Sequence, residues 1–510
     1  MKAKITIHKD YIVSSIDKRL YGSFLEHLGR AIYEGIYEPN HPSSNSKGYR
    51  MDVMETIKDL DMPVIRYPGG NFVSAFNWED SVGPKKLRPK RIDLAWKTTE
   101  TNEFGLNEFM DWSKEANTEA MMAINLGSRG VESAVNLVEY CNHPSGSYWS
   151  DLRVSHGYKE PHNIKMWCLG NEMDGPWQVG HKTAYEYGRL ANETAKALRK
   201  FDNNLELIVC GSSNDRMKTY PDWEAEVLDQ SYDSVDYISL HQYWDNYEKD
   251  TASYLANTVV LDTYLKTVES VITYIKSKKR SKKDIKISFD EWNPWYHTRS
   301  QNITAEDELD LTNANWPEAP HLYEEMYNIQ DALLVGSVLN SFINNSHIVK
   351  IACMAQLVNV IGAISTVTGG ISWKQSIYYP LYFASKYGRG EAMNIIIDSP
   401  KYSCKIADDV NYIDASCVLN ASKKELIFFI INKNLKENID IDFNIHGIDL
   451  LTIEEQQSLF DEDLYASNTA ENPNRIIPKN VSFSKLENNT LVTSLPKLSY
   501  NVIRCKMEKK

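Results

Sequence analysis

Two apolar stretches of the sequence each end in a carboxylate. One runs to Leu169-Gly170-Asn171-Glu172, and the other runs to Phe289-Asp290-Glu291-Trp292. If both are parallel strands of one barrel, their carboxyl ends share a face and their side chains can meet across its mouth. Two facing carboxylates are the minimum for hydrolysis of a glycosidic bond: one protonates the leaving oxygen, and the other attacks the anomeric carbon or activates water. Because neighbouring residues on a strand alternate faces, the spacing leaves open whether Asp290 or Glu291 faces the cleft.

A single glutamate at a strand end also has an ordinary structural interpretation, as the partner of a helix N-terminus or of a loop cation. Two kinds of neighbour favour the chemical interpretation here. The amide of Asn171 can donate to a sugar hydroxyl, and Trp292 and Trp295 offer aromatic faces on which a sugar ring can stack. A packing role for either tryptophan remains open at this point.

Polar side chains end most of the other apolar stretches as well. His241 and Tyr243 are two residues apart on one stretch, so they share a face and can point into one site. A Pro-Gly-Gly turn at 68–70 allows unusual backbone angles and can present Asn71 to the cleft. The remaining candidates are Glu26, His27, Arg66 and Gln356. Three of these have structural alternatives: a hydrogen-bonded core histidine at 27, an ion-pair holder at 66, and burial of the carboxylate at 26 against that arginine.

Eight short apolar stretches, each ending in polar or glycine residues, would position these groups. They are Gly22–Leu28, Pro63–Tyr67, Ala120–Leu126, Ile164–Leu169, Leu207–Cys210, Tyr237–Leu240, Ile285–Phe289 and Ile348–Leu357. Helical patterns lie between them, for example at 50–60, 183–201 and 264–279. Strands alternating with helices over about 350 residues predict an α/β fold, a (β/α)8 TIM barrel with insertions. The alternative, a doubly wound open sheet, requires a glycine-rich phosphate turn after the first strand, and residues 25–29 do not supply one.

The last part of the chain has a different pattern. All 12 tryptophans lie between Trp78 and Trp373. Residues 438–446 alternate strictly between apolar and polar, as in a half-buried antiparallel strand, and 426–431 and 500–504 are further strand candidates. We therefore predict a catalytic barrel at 17–375, a C-terminal all-β sandwich at 376–510, and an N-terminal strand within 1–16 that joins the sandwich.

Composition narrows the class of protein. The chain has 56 Lys+Arg and 69 Asp+Glu, a net charge of −13. The basic runs at 85–91 and 276–283 are short and typical of solvated helix ends or loops, so no nucleic-acid partner is predicted. Apolar residues make up 42% and charged residues 25%, which excludes a mainly disordered chain.

Cysteine use and the N-terminus point to the cytoplasm. The seven cysteines are scattered, with no Cys-x-x-Cys, which is typical of reduced thiols. No apolar h-region and therefore no secretory signal is visible at the start of the chain. Zinc-ligand spacing is absent, so the sequence predicts no zinc site. Residues 351–373 are uncharged and long enough to span a bilayer, but they contain polar residues and Gly369-Gly370. We interpret them as a buried strand followed by a loop.

Seven longer stretches around these residues match one known family. They are YGSFLEHLGRAIYEGIYEP at 21–39, RYPGGNFVSAFNWEDSVGP at 66–84, RPKRIDLAWKTTETNEFGLNEF at 88–109, WCLGNEMDGPWQVGH at 167–181, SLHQYW at 239–244, FDEWNPWY at 289–296 and AQLVNVIGAI at 355–364. An Asn-Glu pair alone recurs across many barrel glycosidases, whereas seven stretches in the family's order are specific. Over essentially its whole length the sequence resembles family 51 of the glycoside hydrolases, the intracellular-type α-L-arabinofuranosidases.

The resemblance implies a retaining, two-step hydrolysis with Glu172 as acid/base and Glu291 as nucleophile. It implies that the furanose ring is held by Glu26, Arg66, Asn71, Asn171, His241, Tyr243 and Gln356, with Trp96 and Trp295 at the mouth. It also implies a homohexamer that needs no metal and no cofactor, and an exo-acting enzyme of arabinan and hemicellulose catabolism. The substrate would be a terminal non-reducing α-L-arabinofuranosyl residue of arabinan, arabinoxylan or arabino-oligosaccharides.

The proposed chemistry sets two physical expectations. The carboxyl groups of a retaining pair lie about 5–5.5 Å apart. Glu172 must begin protonated, so its pKa is expected to be raised, while Glu291 must be ionised. Once an arabinosyl ester forms on Glu291, the like-charge repulsion disappears and the pKa of Glu172 falls, so that it can act as a base toward water.

Three rival functions remain. Another retaining glycosidase on the same barrel, such as an endo-β-glucanase or β-xylosidase, would use the same two glutamates and is distinguished by the sugar released. A carbohydrate-binding protein without turnover would show aromatic platforms without opposed carboxylates. A metal-dependent sugar isomerase would need a cluster of carboxylates and histidines with open metal positions, and its activity would not survive a chelator.

Overall fold

A computed structural model of the chain describes residues 1–297, 315–487 and 490–507. The strands up to residue 294 are β1 (Lys2–His8), β2 (Ile12–Ser15), β3 (Gly22–Phe24), β4 (Val64–Tyr67), β5 (Arg91–Asp93), β6 (Thr98–Glu100), β7 (Glu119–Ile124), β8 (Met166–Leu169), β9 (Glu206–Cys210), β10 (Tyr237–Trp244) and β11 (Lys286–Pro294). The strands after these are β12 (Val349–Met354), β13 (Ile364–Thr366), β14 (Ser372–Lys374), β15 (Glu391–Met393), β16 (Ile396–Asp398), β17 (Lys401–Tyr402), β18 (Val410–Asn411), β19 (Ile413–Asn420), β20 (Glu425–Asn432), β21 (Ile439–His446), β22 (Leu450–Leu459), β23 (Lys479–Asn480), β24 (Ser484–Glu487), β25 (Thr490–Leu495) and β26 (Ser499–Met507).

The α-helices of the described residues lie mainly between the barrel strands. They are α1 (Met51–Asp59), α2 (Leu106–Ala116), α3 (Val131–Asn142), α4 (Tyr148–Ser155), α5 (Ala184–Phe201), α6 (Asp222–Ser231), α7 (Thr251–Leu255), α8 (Asn257–Lys279), α9 (Ile329–Asn344) and α10 (Tyr378–Tyr387). Short 3-10 helices occur at Lys18–Tyr21, Asn71–Ala75, Trp78–Ser81 and Lys85–Leu87.

Eight parallel strands close into a barrel in chain order. The order around it is β3, β4, β7, β8, β9, β10, β11 and β12, and β12 pairs back onto β3. Each strand coincides with one of the eight predicted apolar stretches, so the predicted (β/α)8 barrel is confirmed. The first and last strands are shorter than predicted, because regular pairing stops at Phe24 and Met354, where the chain turns into the polar loops.

A two-layered β structure follows the barrel. One sheet has seven strands in the order β2-β15-β19-β20-β26-β22-β23, and the other has five in the order β16-β1-β21-β25-β24. β1 runs parallel to β21, with Lys2 opposite Asp440 and His8 opposite His446. The predicted C-terminal sandwich is therefore confirmed, and the N-terminal strands β1 and β2 pair within its sheets. The boundaries at 16/17 and 375/376 remain predictions, and the barrel range includes residues 298–314, which lie outside the described residues.

The sequence of β20 is continuously apolar from Leu426 to Ile431 because both faces of the strand are buried. Phe428 and Ile430 pack into the core between the two sheets, while Phe429 and Ile431 pack toward the barrel side. A strand buried on both faces has no solvent side on which polar residues would alternate. The helix α9 lies against this outer face, and all its residues from Ile329 to Ile343 are buried.

The uncharged segment 351–373 is largely buried in the fold. It begins in β12, continues through a loop and ends in the antiparallel hairpin of β13 and β14. Among the described residues no helix is both apolar and long enough to cross a membrane. All seven cysteines are free thiols, and six of them are buried.

Candidate active site at the barrel mouth

The turn after β8 carries Glu172 into the mouth of the barrel. Gly170 has a φ of +96°, and a Cβ at this position would lie 3.1 Å from Cγ of Met173. Glu172 itself has a φ of +43°, in the left-handed region that non-glycine residues seldom adopt. Such backbone conformations persist where the surrounding structure fixes them, and they cluster at functional sites.

Two donors hold the carboxylate of Glu172. Nδ1 of His241 lies 2.9 Å from its Oε1, and Nε1 of Trp177 donates to its Oε2 at 2.7 Å. Burial, together with the nearby charge of Glu291, raises the pKa of Glu172, although these two hydrogen bonds oppose the shift. The carboxyl group is thus biased toward the protonated form that a general acid needs.

Glu291, on β11, lies opposite Glu172. Nη1 of Arg66 donates to its Oε1 at 2.6 Å, and the hydroxyl of Tyr243 donates to its Oε2 at 2.9 Å. Oxygens of the two glutamates lie within 4.8 Å of one another. The guanidinium and the phenol hold the ionised carboxylate in one orientation, as a nucleophile requires.

Asp290 also points to the interior, which strict alternation of faces did not predict. On β11, Phe289 pairs with Ala352 and Trp292 with Met354, so two residues lie opposite one on the neighbouring strand. This β-bulge inserts one extra residue, and both carboxylates therefore face inward. Asp290 is fully buried and accepts hydrogen bonds from the hydroxyls of Ser239 (2.5 Å) and Ser288 (3.1 Å). The spacing left open whether Asp290 or Glu291 faces the cleft; both point inward, and Glu291 is the one whose carboxylate lies close to that of Glu172.

His241 bridges the three carboxylates. Its Nε2 lies 2.9 Å from Oδ1 of Asp290, and its Nδ1 lies 3.5 Å from Oε2 of Glu291 in addition to its contact with Glu172. Burial alone would lower the pKa of His241, but the surrounding carboxylates raise it to about 10. The ring is therefore an imidazolium at neutral pH, with a proton on each nitrogen.

An amide and guanidinium wall lies between the two glutamates. Nη2 of Arg66 donates to Oδ1 of Asn171 at 2.7 Å, and Nδ2 of Asn171 donates to Oδ1 of Asn71 at 3.4 Å. Nε2 of Gln178 also donates to Oδ1 of Asn71. Arg66 is 1% exposed and lies 4.8 Å from the ring centre of Phe24. The predicted residues of this wall are thus joined in one hydrogen-bonded chain.

Glu26 forms the other side of the mouth. Its Oε1 accepts from the backbone N–H of Phe72 and from Nε1 of Trp96, both at 2.9 Å, and its own N–H donates to Oε1 of Gln356 at 3.0 Å. A Cβ on Gly70 would lie 2.4 Å from its Oε2, so the predicted Pro-Gly-Gly turn is needed for close approach. Burial and the charge of Glu291 raise the pKa of Glu26 to about 8. Its hydrogen-bond partners are these groups rather than Arg66, against which burial was considered.

The aromatic residues divide between mouth and core. Trp295 packs edge-on against Tyr243 at 4.9 Å and against Tyr323 at 5.1 Å, and Tyr323 also contacts Trp96 at 6.0 Å. Trp292 is 1% exposed and packs on Phe342, so its role is core packing. Trp292 is thus a core residue, whereas Trp295 lies at the mouth and its stacking on a sugar ring stays a prediction.

His27 lies behind the mouth, as its structural alternative predicted. Its ring nitrogens are 2.8 Å from Oε2 of Glu100 and 2.8 Å from the hydroxyl of Tyr67. Trp177, 48% exposed yet bonded to Glu172, was not singled out from the sequence. Its position five residues after that glutamate, in the matching stretch at 167–181, was the available signal.

The same cluster contains residue types that can bind a metal ion. In the part of the chain that the structure describes, Glu172, His241 and Glu291 form the one trio whose ligand atoms lie close enough for a shared ion. A histidine must be neutral to bind a metal. Both nitrogens of His241 face carboxylates and its pKa is raised, so the trio suits an ion-paired imidazolium better than a metal ligand.

Comparison with known proteins gives consistent results. The family model "Alpha-L-arabinofuranosidase 1 domain" matches residues 56–305, and "Alpha-L-arabinofuranosidase C-terminal domain" matches residues 290–499. An intracellular exo-α-(1→5)-L-arabinofuranosidase of Halalkalibacterium halodurans is 52% identical over 99% of both chains. An enzyme of the same name from Bacillus subtilis is 51% identical over 99% of both.

Comparison with solved structures points to the same family. The structure of a family 51 α-L-arabinofuranosidase from Bifidobacterium longum superimposes with a TM-score of 0.93 at 37% identity, covering 99% of this chain and 100% of the other. The eight-stranded barrel with two opposed glutamates, the two family models and the full-length relatives agree. This chain is therefore a member of glycoside hydrolase family 51, the family of α-L-arabinofuranosidases.

Proposed function

We propose that this chain is a retaining, exo-acting α-L-arabinofuranosidase that removes terminal non-reducing α-L-arabinofuranosyl residues from arabinan, arabinoxylan or arabino-oligosaccharides. The observation that carries the proposal is the approach of carboxylate oxygens of Glu172 and Glu291 to within 4.8 Å. Retaining pairs are about 5–5.5 Å apart, whereas inverting pairs are about 6.5–9.5 Å apart to admit a water molecule. The names of the relatives support α-L-arabinofuranose as the sugar and an α-(1→5) linkage as the preferred bond.

In the first step, an oxygen of Glu291 attacks the anomeric carbon and the bond from that carbon to the leaving oxygen breaks. The leaving oxygen takes the proton of Glu172, so the aglycone departs as a neutral alcohol. Arg66 and Tyr243 hold the attacking carboxylate in place. The products of this step are an arabinosyl ester of Glu291 and an ionised Glu172.

In the second step, Glu172 accepts a proton from water while the water oxygen bonds to the anomeric carbon. The ester bond breaks, Glu291 recovers its negative charge, and arabinose leaves with its anomeric configuration retained. Esterification of Glu291 removes the charge that helps to raise the pKa of Glu172. The pKa of Glu172 falls in the intermediate, so the same carboxyl group serves first as acid and then as base.

The test compares Glu291→Ala with Glu172→Ala. Glu291→Ala should lose nearly all turnover on every arabinoside. Glu172→Ala should lose at least ~100-fold on α-(1→5)-arabinobiose, a typical contribution of general acid catalysis. It should retain first-step activity on an aryl arabinoside whose leaving group needs no proton. Product analysis by NMR reports both the sugar released and its initial configuration.

The control is the unchanged chain assayed with and without EDTA on aryl α-L-arabinofuranoside, β-xyloside and β-glucoside. Arabinose release that is unaffected by EDTA is expected. Normal cleavage of arabinobiose by both alanine variants, initial inversion, or preferred release of xylose or glucose would each contradict the proposal.

We further propose that the chain acts inside the cell as a homohexamer. The relatives are named intracellular enzymes, which supports the location. The hexamer rests on the resemblance to the family. Light scattering coupled to size exclusion should give six times the mass of one chain, and a monomer or dimer at micromolar concentration would contradict this part of the proposal.

A further inference from the structure

A second cavity lies on the other side of β10 from the two glutamates. His241 and Tyr243 face the mouth, and Gln242 between them faces the opposite way, as alternation on a strand requires. The cavity has a volume of about 530 Å³ and lies between this strand, the helix α8 and the loop at 405–406 of the sandwich. This size is within the range of small-molecule sites in proteins.

Two buried acceptors in the lining have no hydrogen-bond partner among the described residues. They are Oε1 of Gln242 and Oδ1 of Asp215. Gln242 is 6% exposed, so its amide oxygen has little access to bulk water. A buried acceptor that is left unsatisfied is destabilising, and both atoms therefore require a donor from a ligand or from bound water.

The charged side chains of the lining restrict the kind of ligand that can donate to these two acceptors. Lys405 lies 2.5 Å from Glu248 and 3.9 Å from Asp250, so its charge is already neutralised. Asp215 and Asp245 add two further carboxylates, and Arg216 is the other cation of the lining. The balance is negative and disfavours an anion. These carboxylates also do not meet the spacing of a metal site, since the one close trio found among the described residues lies at the mouth.

Aromatic side chains complete the lining. Tyr247 is 59% exposed, and Trp244 and Tyr254 form the inner part of the cavity. Flat aromatic faces beside hydrogen-bond acceptors suit a ligand with an apolar ring face and hydroxyl donors at its edge. A neutral sugar has this chemistry.

We propose that this cavity is a second binding site for a neutral sugar, a pentose unit of an arabino-oligosaccharide, separate from the catalytic mouth. Hydroxyl groups of the sugar donate to Gln242 and Asp215, and one ring face lies on Tyr247. The identity of the sugar rests on the proposed function, since the product and substrate of that activity are the pentoses that this protein meets. Tyr243 belongs to the lining of the cavity and its hydroxyl donates to Glu291, so the two sites lie on opposite sides of one strand.

The experiment counts binding sites for linear α-(1→5)-arabinotriose by isothermal titration calorimetry. The starting protein is the full chain with Glu291→Ala, which prevents turnover. We expect two sites per chain in this protein and one site after addition of Gln242→Leu. As a second variant, Tyr247→Ala should weaken the second site about 10-fold, which corresponds to 1.4 kcal/mol. The matched control is Tyr185→Ala, at a tyrosine that is 60% exposed on α5, and it should leave both sites unchanged.

One site or none in the starting protein would overturn the proposal, as would two sites that persist in both Gln242→Leu and Tyr247→Ala. A parallel titration with glycerol distinguishes a sugar site from a general polyol site, and equal affinity for glycerol would also overturn it. Failure of the proposed function can be distinguished from failure of the second site. In that case the unchanged chain would not hydrolyse arabinosides, while binding that depends on Gln242 would still be measured.

Discussion

The chemistry of the mouth depends on the charge balance of five buried side chains. Glu172, Asp290 and Glu291 supply three carboxylates, and Arg66 and His241 supply two cations. With all three carboxylates ionised the cluster carries one net negative charge, and a proton on Glu172 brings it to zero. Because uncompensated buried charge is costly, the protonated acid is the favoured resting form. Asp290 keeps its charge: burial alone would raise its pKa, but Arg66 and His241 together lower it.

Glu26 gives a pH prediction at the residue scale. Its pKa is raised to about 8 in the folded chain, against 4.5 for a solvated glutamate. Between these values the unfolded chain ionises while the folded chain keeps its proton, so this group makes the fold progressively less stable as pH rises. Glu26→Gln removes the titration. The stability of the variant relative to the unchanged chain should therefore increase from pH 4.5 to 8, by on the order of 5 kcal/mol, with no further increase above pH 8.

Thermal unfolding of both proteins across this pH range measures the difference. Glu103→Gln, at an exposed glutamate, is the matched control and should give a small difference at every pH, because its carboxylate is hydrated in both states. If the difference in Tm between Glu26→Gln and the unchanged chain stayed constant from pH 4.5 to 8, the carboxylate of Glu26 would be ionised in the folded chain over that whole range.

At the scale of elements, the positions of the barrel strands could be predicted from the sequence, but the directions of the side chains at their ends could not. Each barrel strand is a short apolar run bounded by polar or glycine residues, which is the pattern of a fully buried strand. The bulge at Asp290 and Glu291 depends instead on pairing with β12, which lies about 60 residues later in the chain. The alternation rule therefore could not place these two side chains. For the same reason, the bond from Trp177 to Glu172 depends on a loop path that periodicity does not encode.

The turn after β8 gives a prediction for one element. Gly170→Ala forces a side chain into a backbone with φ +96° and within 3.1 Å of Met173. We expect a loss of about 1–3 kcal/mol in stability and a fall in kcat, because Glu172 follows two residues later. Gly146→Ala is the matched control: its φ is +93°, and a Cβ there has no neighbour within 4 Å. It should lose stability without loss of kcat. Equal kcat in the two variants, measured on α-(1→5)-arabinobiose, whose alcohol leaving group needs a proton, would show that this turn does not position the acid.

At the scale of the whole molecule, α9 joins the barrel to the sandwich. The helix was not among the helical patterns read from the sequence, because its polar residues, such as Gln330 and Asn340, are buried and do not form one solvent-facing stripe. It is buried all round because the seven-stranded sheet covers the side that faces away from the barrel. Nδ2 of Asn340 donates to Oδ1 of Asp414 at 2.9 Å, and its Oδ1 accepts from the hydroxyl of Ser416 at 2.7 Å. The two domains therefore share one core.

A shared core predicts that barrel and sandwich unfold together. A Cβ on Gly336 of α9 would lie 2.6 Å from the ring of Tyr500 on β26, so Gly336→Leu should overpack this seam and cost about 3 kcal/mol. Gly130→Leu, where a Cβ meets only a leucine methyl at 3.9 Å, should cost about 1 kcal/mol or less through weaker helix capping. Tryptophan fluorescence follows the barrel side alone, because all 12 tryptophans lie between Trp78 and Trp373, whereas calorimetry follows the whole chain. Both signals should give one coincident transition in every protein, shifted to lower temperature in Gly336→Leu. A fluorescence midpoint that stays in place while a separate calorimetric transition moves would show that the sandwich unfolds independently of the barrel.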